Sequence, residues 1–155
     1  MEIREILAED EKSNICSSIL NALPDWFAIP EAITDYTLGV KDNPFYGVFD
    51  KKTAVGFVSI KVHNRYTAEV YVMGIVKEYH RKGIGRKLVQ ICDDYCRKYG
   101  MAFLTVKTLD EKNPDIFYQK TRLFYESMGF MPLEVFPTLW DENNPCLFLA
   151  KYIGG

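Results

Sequence analysis

The spacing of hydrophobic and polar residues changes several times along the chain, and each change marks a predicted element. Alternation over residues 2–6 predicts a short strand, and apolar residues at helical spacing over 8–23 predict a helix that Pro24 ends. A second short helix is predicted over 31–40, with Pro30 near its first turn. The chain therefore opens with a strand and two helices.

The middle of the chain has the alternation of a β-hairpin region. The runs 45–49, 54–63 and 67–76, separated by polar turns, predict three consecutive antiparallel strands. An amphipathic helix follows from Ile84 to Tyr99, with Asp93 on its polar face, and Gly100 ends it. A strand over 102–106 then completes a strand–helix–strand crossover, which should be parallel and right-handed.

The last part of the chain predicts one helix and two closing strands. Asn113 as N-cap and Pro114 in the first turn predict a helix over 114–128, which Gly129 ends. The closing strands are predicted over 130–136 and 146–152, with a loop between them.

Composition and charge narrow the class of protein. With 155 residues, 48% of them hydrophobic and 26% charged, the chain fits a single globular domain over 1–155. A net charge near -2 gives little support for a nucleic-acid surface. Residues 1–10 mix charges with isolated aliphatic residues, unlike a signal peptide, and the chain lacks the apolar run of about 18 residues that a membrane span needs. We expect a cytoplasmic protein that binds neither nucleic acid nor a membrane.

The cysteines give no sign of a metal site. Cys16, Cys92, Cys96 and Cys146 form no Cys-x-x-Cys pair, and no histidine lies close to them in sequence. We expect buried, reduced thiols, although Cys92 and Cys96 are four apart on a predicted helix and could lie side by side.

The junction between the third hairpin strand and the long helix has the composition of an anion site. It contains Gly83 and Gly85, and residues 80–88 include no acidic residue. Backbone N–H groups of a glycine turn, followed by the unpaired N–H groups of a helix start, direct positive charge to one place. Phosphate is the ligand that we expect there.

Two motifs carry a resemblance to a known family. Residues 80–85, His-Arg-Lys-Gly-Ile-Gly, have the form Gln/Arg-x-x-Gly-x-Gly/Ala with histidine in the first position, and residues 123–130, Leu-Phe-Tyr-Glu-Ser-Met-Gly-Phe, place a tyrosine before Gly-Phe. In both motifs, and in the order of its predicted elements, the chain resembles the GNAT acyltransferases. The resemblance implies the GNAT fold of the α/β (α+β) class, with a central mixed, largely antiparallel sheet of six or seven strands and helices on both faces.

The resemblance also implies acetyl-CoA as co-substrate. Its pyrophosphate would lie over the amides of residues 81–86, and its pantetheine arm would use backbone groups at the end of the preceding strand, where Gly74 suits a β-bulge. Basic side chains around the loop, including Lys87, would add charge-assisted contacts. The implied cofactor-binding residues are Gly74, Ile75, Val76, Arg81, Lys82, Gly83, Ile84, Gly85, Arg86 and Tyr118.

The implied reaction is direct attack of an amine on the thioester. An amine with a pKa near 10.4 is neutral in only about one molecule in 2,500 at pH 7, so a base is expected, directly or through water. Glu69 is the candidate because it interrupts an apolar run and shares a strand face with Tyr71 and Met73. The alternative is an exposed or salt-bridged strand carboxylate. His63 and His80 could also act as bases, but we expect both to be bystanders.

Tyr125 occupies the family's general-acid position, where it would protonate the CoA thiolate. Helical spacing puts Tyr125 on one stripe with Tyr118 and Arg122, beside a predicted core stripe that includes Phe124. The alternative is a packing tyrosine whose hydroxyl is structural.

The acceptor is the least determined part of the sequence-based hypothesis. We expect a small molecule with a primary amine, because Trp26, Phe27, Tyr71 and Trp140 could close over a substrate. The alternatives are a protein lysine or N-terminal acetyltransferase, which would need an open groove, and a non-catalytic acyl-CoA-binding regulator. Packing alone could also explain Trp26 and Phe27. By resemblance, a homodimer paired through the C-terminal strands is also expected.

Overall fold

The computed structural model describes residues 1–154. Its elements follow in the order β1 (Glu2–Glu5), α1 (Glu9–Asn21), α2 (Pro30–Gly39), β2 (Phe45–Asp50), β3 (Thr53–Val62), β4 (Thr67–Ile75), α3 (Ile84–Lys98), β5 (Phe103–Leu109), α4 (Ile116–Ser127), β6 (Met131–Asp141) and β7 (Asn144–Tyr152). Short 3-10 turns lie at Val40–Asp42 and Lys77–Tyr79. The seven strands of the described chain form one mixed sheet, in the order β1-β2-β3-β4-β5-β7-β6. This confirms the predicted α/β class.

The described chain divides into two compact units, the first formed by residues 1–62 and 70–91. In this unit β1 pairs antiparallel with β2, and β2 with β3. Helix α1 buries Ile19 and Leu20 in a core that also contains Phe45 and Phe57, whose rings stack at 5.1 Å. Lys12 of α1 is buried as well. The single domain over 1–155 stays a prediction.

The second unit contains residues 63–69 and the described residues from Cys92 onward. Strand β7 pairs antiparallel with both β5 and β6. The start of β4 runs beside β5, because the Tyr66 carbonyl accepts from the Phe103 amide at 3.0 Å and the Ala68 carbonyl accepts from the Thr105 hydroxyl at 3.5 Å. The register advances in the same direction on both strands, so the pair is parallel, as predicted.

The predicted start of α4 is wrong by two residues. Asp115 is the N-cap, and its Oδ1 accepts from the amides of Phe117 and Tyr118 at 2.8 and 3.2 Å. The predicted cap, Asn113, instead accepts from the Asp115 amide at 3.2 Å. The chain therefore makes one more side-chain-stabilised turn after Asn113 before the helix begins.

The predicted loop over 137–145 is also wrong, because β6 continues to Asp141 and a tight hairpin connects it to β7. Asp141 Oδ1 accepts from the amide of Asn143 at 2.8 Å and so closes the turn. Strand β6 lies at the end of the sheet order, and an edge strand tolerates a proline such as Pro137. Polar and proline residues in this segment therefore do not indicate a loop.

Two helical faces differ from their predicted orientation. In α3, Asp93 is buried together with Val89 and Cys96, and Tyr99, which was predicted on the apolar face, follows the helix and is 55% exposed. In α4, the buried residue is Tyr125, whereas the predicted core stripe is only half-buried. The buried Asp93 carboxylate is paired with the Lys151 ammonium at 2.6 Å.

The two glycines predicted to end α3 and α4 are confirmed. Gly100 and Gly129 follow α3 and α4 with φ angles of 68° and 97°, the left-handed conformation that glycine adopts easily. All four cysteines lie within the described chain and are buried with free thiols, as predicted. Among the helices of residues 1–154, none combines the length and the apolar character needed to cross a membrane.

Candidate functional site

The loop before α3 is the predicted phosphate-binding turn. Gly83 has a φ of 80° and Arg81 a φ of 62°, both in the left-handed region. A Cβ built on Gly83 would meet no described atom within 4 Å, so glycine is required here by backbone conformation and not by space. Ile84 is buried and anchors the first turn of α3, which holds no acidic residue among Ile84–Lys87.

The side chains around this turn supply positive charge. Arg81, Lys82 and Arg86 are exposed, and the Lys82 ammonium lies 5.1 Å from the centre of the Tyr79 ring. An exposed helix N-terminus with several cations beside it favours a phosphate group.

His80 connects this loop to the end of β4. Its Nε2 lies 2.6 Å from the carbonyl oxygen of Ile75, and because a carbonyl can only accept, the imidazole donates. The His80 ring also contacts Trp26 edge to face at 5.4 Å. The amide of Val76 donates to the carbonyl oxygen of Val55 at 2.9 Å. Two of the backbone groups predicted to serve pantetheine are therefore already hydrogen-bonded within the first unit.

Gly74 is required by close packing. A Cβ at this position would lie 3.0 Å from Ile19 and 3.2 Å from Phe57, because α1 approaches the backbone of β4 closely. The β-bulge at Gly74 stays a prediction.

Three of the four predicted substrate residues lie in the first unit. Trp26, Phe27 and Tyr71 are partly buried against the same core. Tyr36 joins two of them, with ring centres 6.1 Å from Phe27 and 5.3 Å from Tyr71, and the Lys61 ammonium lies 5.5 Å from the centre of the Tyr71 ring. Phe27 also lines an open cavity of about 530 Å³ bordered by α1 and α2.

The fourth predicted substrate residue is Trp140. It lies on β6 in the second unit, and 42% of it is exposed. Trp26, Phe27 and Tyr71 thus pack against one core in the first unit, and Trp140 lies on the exposed strand β6 of the second unit.

Glu69 is a buried carboxylate in the second unit. Its side chain is 6% exposed, and its Oε1 lies 2.6 Å from His63 Nε2. The Lys107 ammonium lies 3.2 Å from Oε1 and 3.1 Å from Oε2. The alternative of a salt-bridged carboxylate therefore describes its surroundings, and its chemical role depends on the two partners.

Lys107, the cationic partner of Glu69, was not predicted from the sequence. It lies on β5 opposite Phe148 of β7, and its ammonium is 5.9 Å from the centre of that ring. The predicted strand stopped at Val106 and excluded it. A signal was present, however, because Lys107 interrupts the apolar pattern of its strand as Glu69 interrupts that of β4.

Tyr125 is held between aromatic rings. It is 7% exposed, with ring centres 5.4 Å from Phe124 and 5.5 Å from Phe130. Tyr118, seven residues or about two helical turns earlier, is mostly buried, and this burial together with the charge of Asp115 raises its pKa to about 12. Arg122 on the same stripe donates to the Leu109 carbonyl at 2.7 Å. These contacts hold α4 against β5.

Residues 41–132, more than half of the chain, match the sequence model of the family described as the Acetyltransferase (GNAT) domain. The chain belongs to the GNAT family of acetyltransferases. The match covers the hairpin strands, the glycine turn, α3, β5 and α4, so it includes both motifs that suggested the resemblance.

Similar proteins agree with this assignment. Mycothiol acetyltransferase of Corynebacterium glutamicum (strain R) is 27% identical over 94 residues, which are 61% of this chain but only 30% of that relative's length. A GNAT-family protein from Desulfovibrio desulfuricans has a TM-score of 0.82 at 16% identity, covering 99% of each chain. An aminoglycoside 6'-N-acetyltransferase complexed with coenzyme A has a TM-score of 0.77 at 16% identity, covering 100% of this chain and 98% of its own. At these identities the two structures support the GNAT fold alone.

Proposed function

We propose that the protein is an acetyl-CoA-dependent N-acetyltransferase that moves an acetyl group to a primary amine of a small molecule by direct attack in a ternary complex. The observation that carries this proposal is the left-handed turn at Gly83 leading into α3, with exposed cations beside it, in a chain of the GNAT family. A structural relative complexed with coenzyme A supports the same donor.

The donor phosphates would bind at the turn. We assign them to the amides of residues 81–86, with the side chains of Arg81, Lys82 and Arg86 adding charge-assisted contacts. A single charge contact at an exposed helix terminus contributes about 0.3–1 kcal/mol, so several must act together. Tyr118 and the backbone of Gly74, Ile75 and Val76 complete the proposed donor set.

The chemistry requires one proton acceptor and one proton donor. Deprotonating an amine of pKa near 10.4 at pH 7 costs about 4.6 kcal/mol, which a base offsets. Glu69 is the proposed base, which takes this proton directly or through water. The neutral amine attacks the thioester carbon, the C–S bond breaks, and Tyr125 protonates the leaving thiolate. The attacking nitrogen gives its extra proton to water, and Tyr125 recovers a proton from water.

The acceptor is proposed to be a small molecule. Support comes from the aromatic cluster of Trp26, Phe27 and Tyr71, and from the cavity that Phe27 lines. A fold relative acts on aminoglycosides, which are small molecules with several amines. Trp140, on β6, is proposed as a further contact for the acceptor through its exposed face.

The donor and acceptor are tested by thiol release. The protein is incubated with acetyl-CoA and each of kanamycin, spermidine, a lysine peptide and a peptide with a free N-terminus, and free CoA is measured with a thiol reagent. Kanamycin or spermidine should give the fastest release. Faster release with a peptide would favour a protein acetyltransferase, and CoA binding without release for any amine would favour a regulator.

The roles of Tyr125 and Glu69 are tested with matched variants. Tyr125→Phe should lower the rate by about 10²-fold or more, whereas Tyr99→Phe, at an exposed position, should not. Glu69→Gln should lower the rate most at low pH, where fewer amines are neutral, and Glu5→Gln on β1 is its exposed control. A Tyr125→Phe rate that is intact across pH would remove Tyr125 as the acid, and an unchanged Glu69→Gln profile would remove Glu69.

A homodimer is also proposed, with β6 as its contact. This edge strand is eleven residues long and exposes Met131, Leu133, Leu139 and Trp140. Exposed strand edges with apolar side chains favour pairing with another chain. Light scattering after size-exclusion chromatography should give twice the 17.9 kDa mass of one chain, and Leu133→Lys should restore the monomer mass.

A further inference from the structure

The pair formed by His63 and Glu69 has a geometry that a simple salt bridge does not need. The two residues are six apart, on either side of the β3–β4 turn, and the His63 amide donates to the Thr67 carbonyl at 3.0 Å. This backbone bond fixes the position from which the imidazole reaches Glu69. His63 is therefore held by its backbone and by its side chain.

Both oxygens of Glu69 already accept hydrogen bonds. Oε1 accepts from His63 and Lys107, and Oε2 accepts from Lys107. The carboxylate is 6% exposed, whereas 35% of the His63 side chain is exposed. An acceptor amine would have to displace a partner to reach Glu69, but it can approach His63 directly.

The partner atoms also determine which nitrogen of His63 carries the proton. A carboxylate offers only acceptors, so Nε2 donates and, in the neutral imidazole, Nδ1 keeps a lone pair. Within residues 1–154, Nδ1 has no hydrogen-bond partner. The same division, with one nitrogen held by a carboxylate and the other available for proton transfer, orients the histidine of a catalytic triad.

We propose that His63 Nδ1 takes the proton from the acceptor amine and that Glu69 is the positioning residue that holds the imidazole. This inference rests on the proposed acetyl transfer and replaces direct contact between the amine and Glu69 by a relay. The ammonium N–H bond breaks, its proton bonds to Nδ1, and the freed electron pair attacks the thioester carbon. The exposed imidazolium then returns the proton to solvent.

The charges around the pair are compatible with a transient imidazolium. Glu69 carries the negative charge that faces Nε2. The positive charge of Lys107, from β5, is shared between Glu69 and the ring of Phe148. From β7, Cys146 faces the cluster as a neutral thiol, because burial raises its pKa to about 11. Glu69 thus has one fixed cationic partner and one partner that can gain charge.

The tautomer is tested without any substrate. Long-range ¹H–¹⁵N NMR of the wild-type protein distinguishes a protonated nitrogen from a lone-pair nitrogen, and His80→Gln assigns the remaining imidazole to His63. We expect Nε2 protonated and Nδ1 unprotonated, and Glu69→Gln should change this ratio. A protonated Nδ1 in the neutral wild-type imidazole overturns the proposal, whether or not an acceptor is acetylated.

The catalytic role is tested by chemical rescue, with the fastest acceptor of the same panel. His63→Ala should lower kcat/KM for the amine by about 10²-fold or more, and millimolar imidazole should restore part of it. Arg65→Ala, an exposed neighbour in the same turn, should keep its activity and not respond to imidazole. Thermal melting of both variants verifies that they are folded.

The outcomes separate the two proposals. Acetylation by the wild type with full activity in His63→Ala would overturn the relay and leave the acetyltransferase intact. A folded His63→Ala variant that is inactive and unresponsive to imidazole would assign His63 a structural role and also overturn the relay. If the wild type acetylates none of the amines, the proposed function fails and the relay fails with it.

Discussion

Helix α3 carries two adjacent aspartates that provide a test of how burial controls the energy of an ion pair. The Asp93 side chain is 4% exposed and lies 2.6 Å from the Lys151 ammonium, which is 18% exposed. Asp94 is 65% exposed and lies 3.4 Å from Arg97. The same residue type on the same helix thus forms one buried and one solvated pair.

Replacing Lys151 by Met isolates the charge effect. The methionine keeps most of the aliphatic volume that packs beside Gly129, but it leaves the Asp93 carboxylate buried without its cation. Asp93 Oδ1 already has no hydrogen-bond partner in the described chain, so compensation by neighbouring groups is limited. Breaking a buried pair in this way costs about 3–5 kcal/mol, whereas Arg97→Met at the exposed pair should cost about 0–1 kcal/mol.

Urea unfolding at pH 7 and calorimetry measure the difference. For a chain of this size about 1 kcal/mol shifts Tm by about 2–4 °C, so Lys151→Met should lower Tm by about 6–20 °C. The double variant with Asp93→Leu and Lys151→Met should recover most of the loss, because it removes both charges. Equal effects of Lys151→Met and Arg97→Met would refute the assignment of Asp93 to the buried interior.

Three further changes test other contacts. Gly39→Ala places a Cβ where the Tyr71 hydroxyl lies, so near-UV circular dichroism should change and stability should fall by about 1–3 kcal/mol; an unchanged spectrum would contradict the contact. Lys12→Met removes a hydrogen bond of 2.7 Å to the Asn43 carbonyl and should cost about 1–3 kcal/mol in urea unfolding; unchanged stability would contradict a stabilising role for this bond. Burial raises the pKa of Cys16 from 9.0 to about 12, so the unfolded thiol ionises first and stability should fall as pH rises through this interval, less so in Cys16→Ala.

The buried pair of α3 also indicates where sequence analysis of the fold reaches its limit. Helical spacing located α3 and its ends, because these depend on neighbouring residues and on Gly100. It assigned Asp93 to the solvent face, because the partner that permits its burial, Lys151, is 58 residues away. Local pattern predicts a helix, but the exact rotation of its buried stripe depends on tertiary partners.

The last hairpin was missed for a different reason. Strand β6 is exposed or half-buried along its whole length, so neither face requires apolar residues, and its mixed sequence resembles a loop. Leu139 and Trp140 are exposed although they lie in a strand. Pairing with β7 could be predicted only after the register of that strand was known.

In the candidate site, too, the local features were predicted and the tertiary contacts were not. The turn at Gly83 was predicted because its backbone requirements are local. Glu69 was selected because a carboxylate interrupts an apolar strand, which is also a sequence signal. Its partners could not be assigned, since His63 approaches across a turn and Lys107 from a neighbouring strand. The environment that determines the role of Glu69 is therefore a tertiary property.

Arg81 has a strained backbone conformation and is also a proposed phosphate contact. It adopts a φ of 62°, and this left-handed conformation destabilises a residue with a Cβ by about 1–2 kcal/mol. Lys51, in the β2–β3 turn, adopts a φ of 58° and has the same strain, but no ligand is proposed to bind there. Glycine at either position should remove this strain and raise stability by up to about 1 kcal/mol in urea unfolding, after its larger unfolded-state entropy is counted.

The two glycine variants should differ in CoA binding. If Arg81 keeps its strained conformation because its guanidinium contacts a donor phosphate, Arg81→Gly should lose about 1.5–3 kcal/mol of binding free energy, which is a rise in Kd of about 12- to 140-fold by calorimetry. Lys51→Gly should bind CoA as the wild type does. Arg81→Ala, which keeps the strain and loses the charge, should weaken binding without gaining stability. Wild-type affinity in Arg81→Gly would contradict a phosphate contact by Arg81, and the strain at this position would then have no functional explanation.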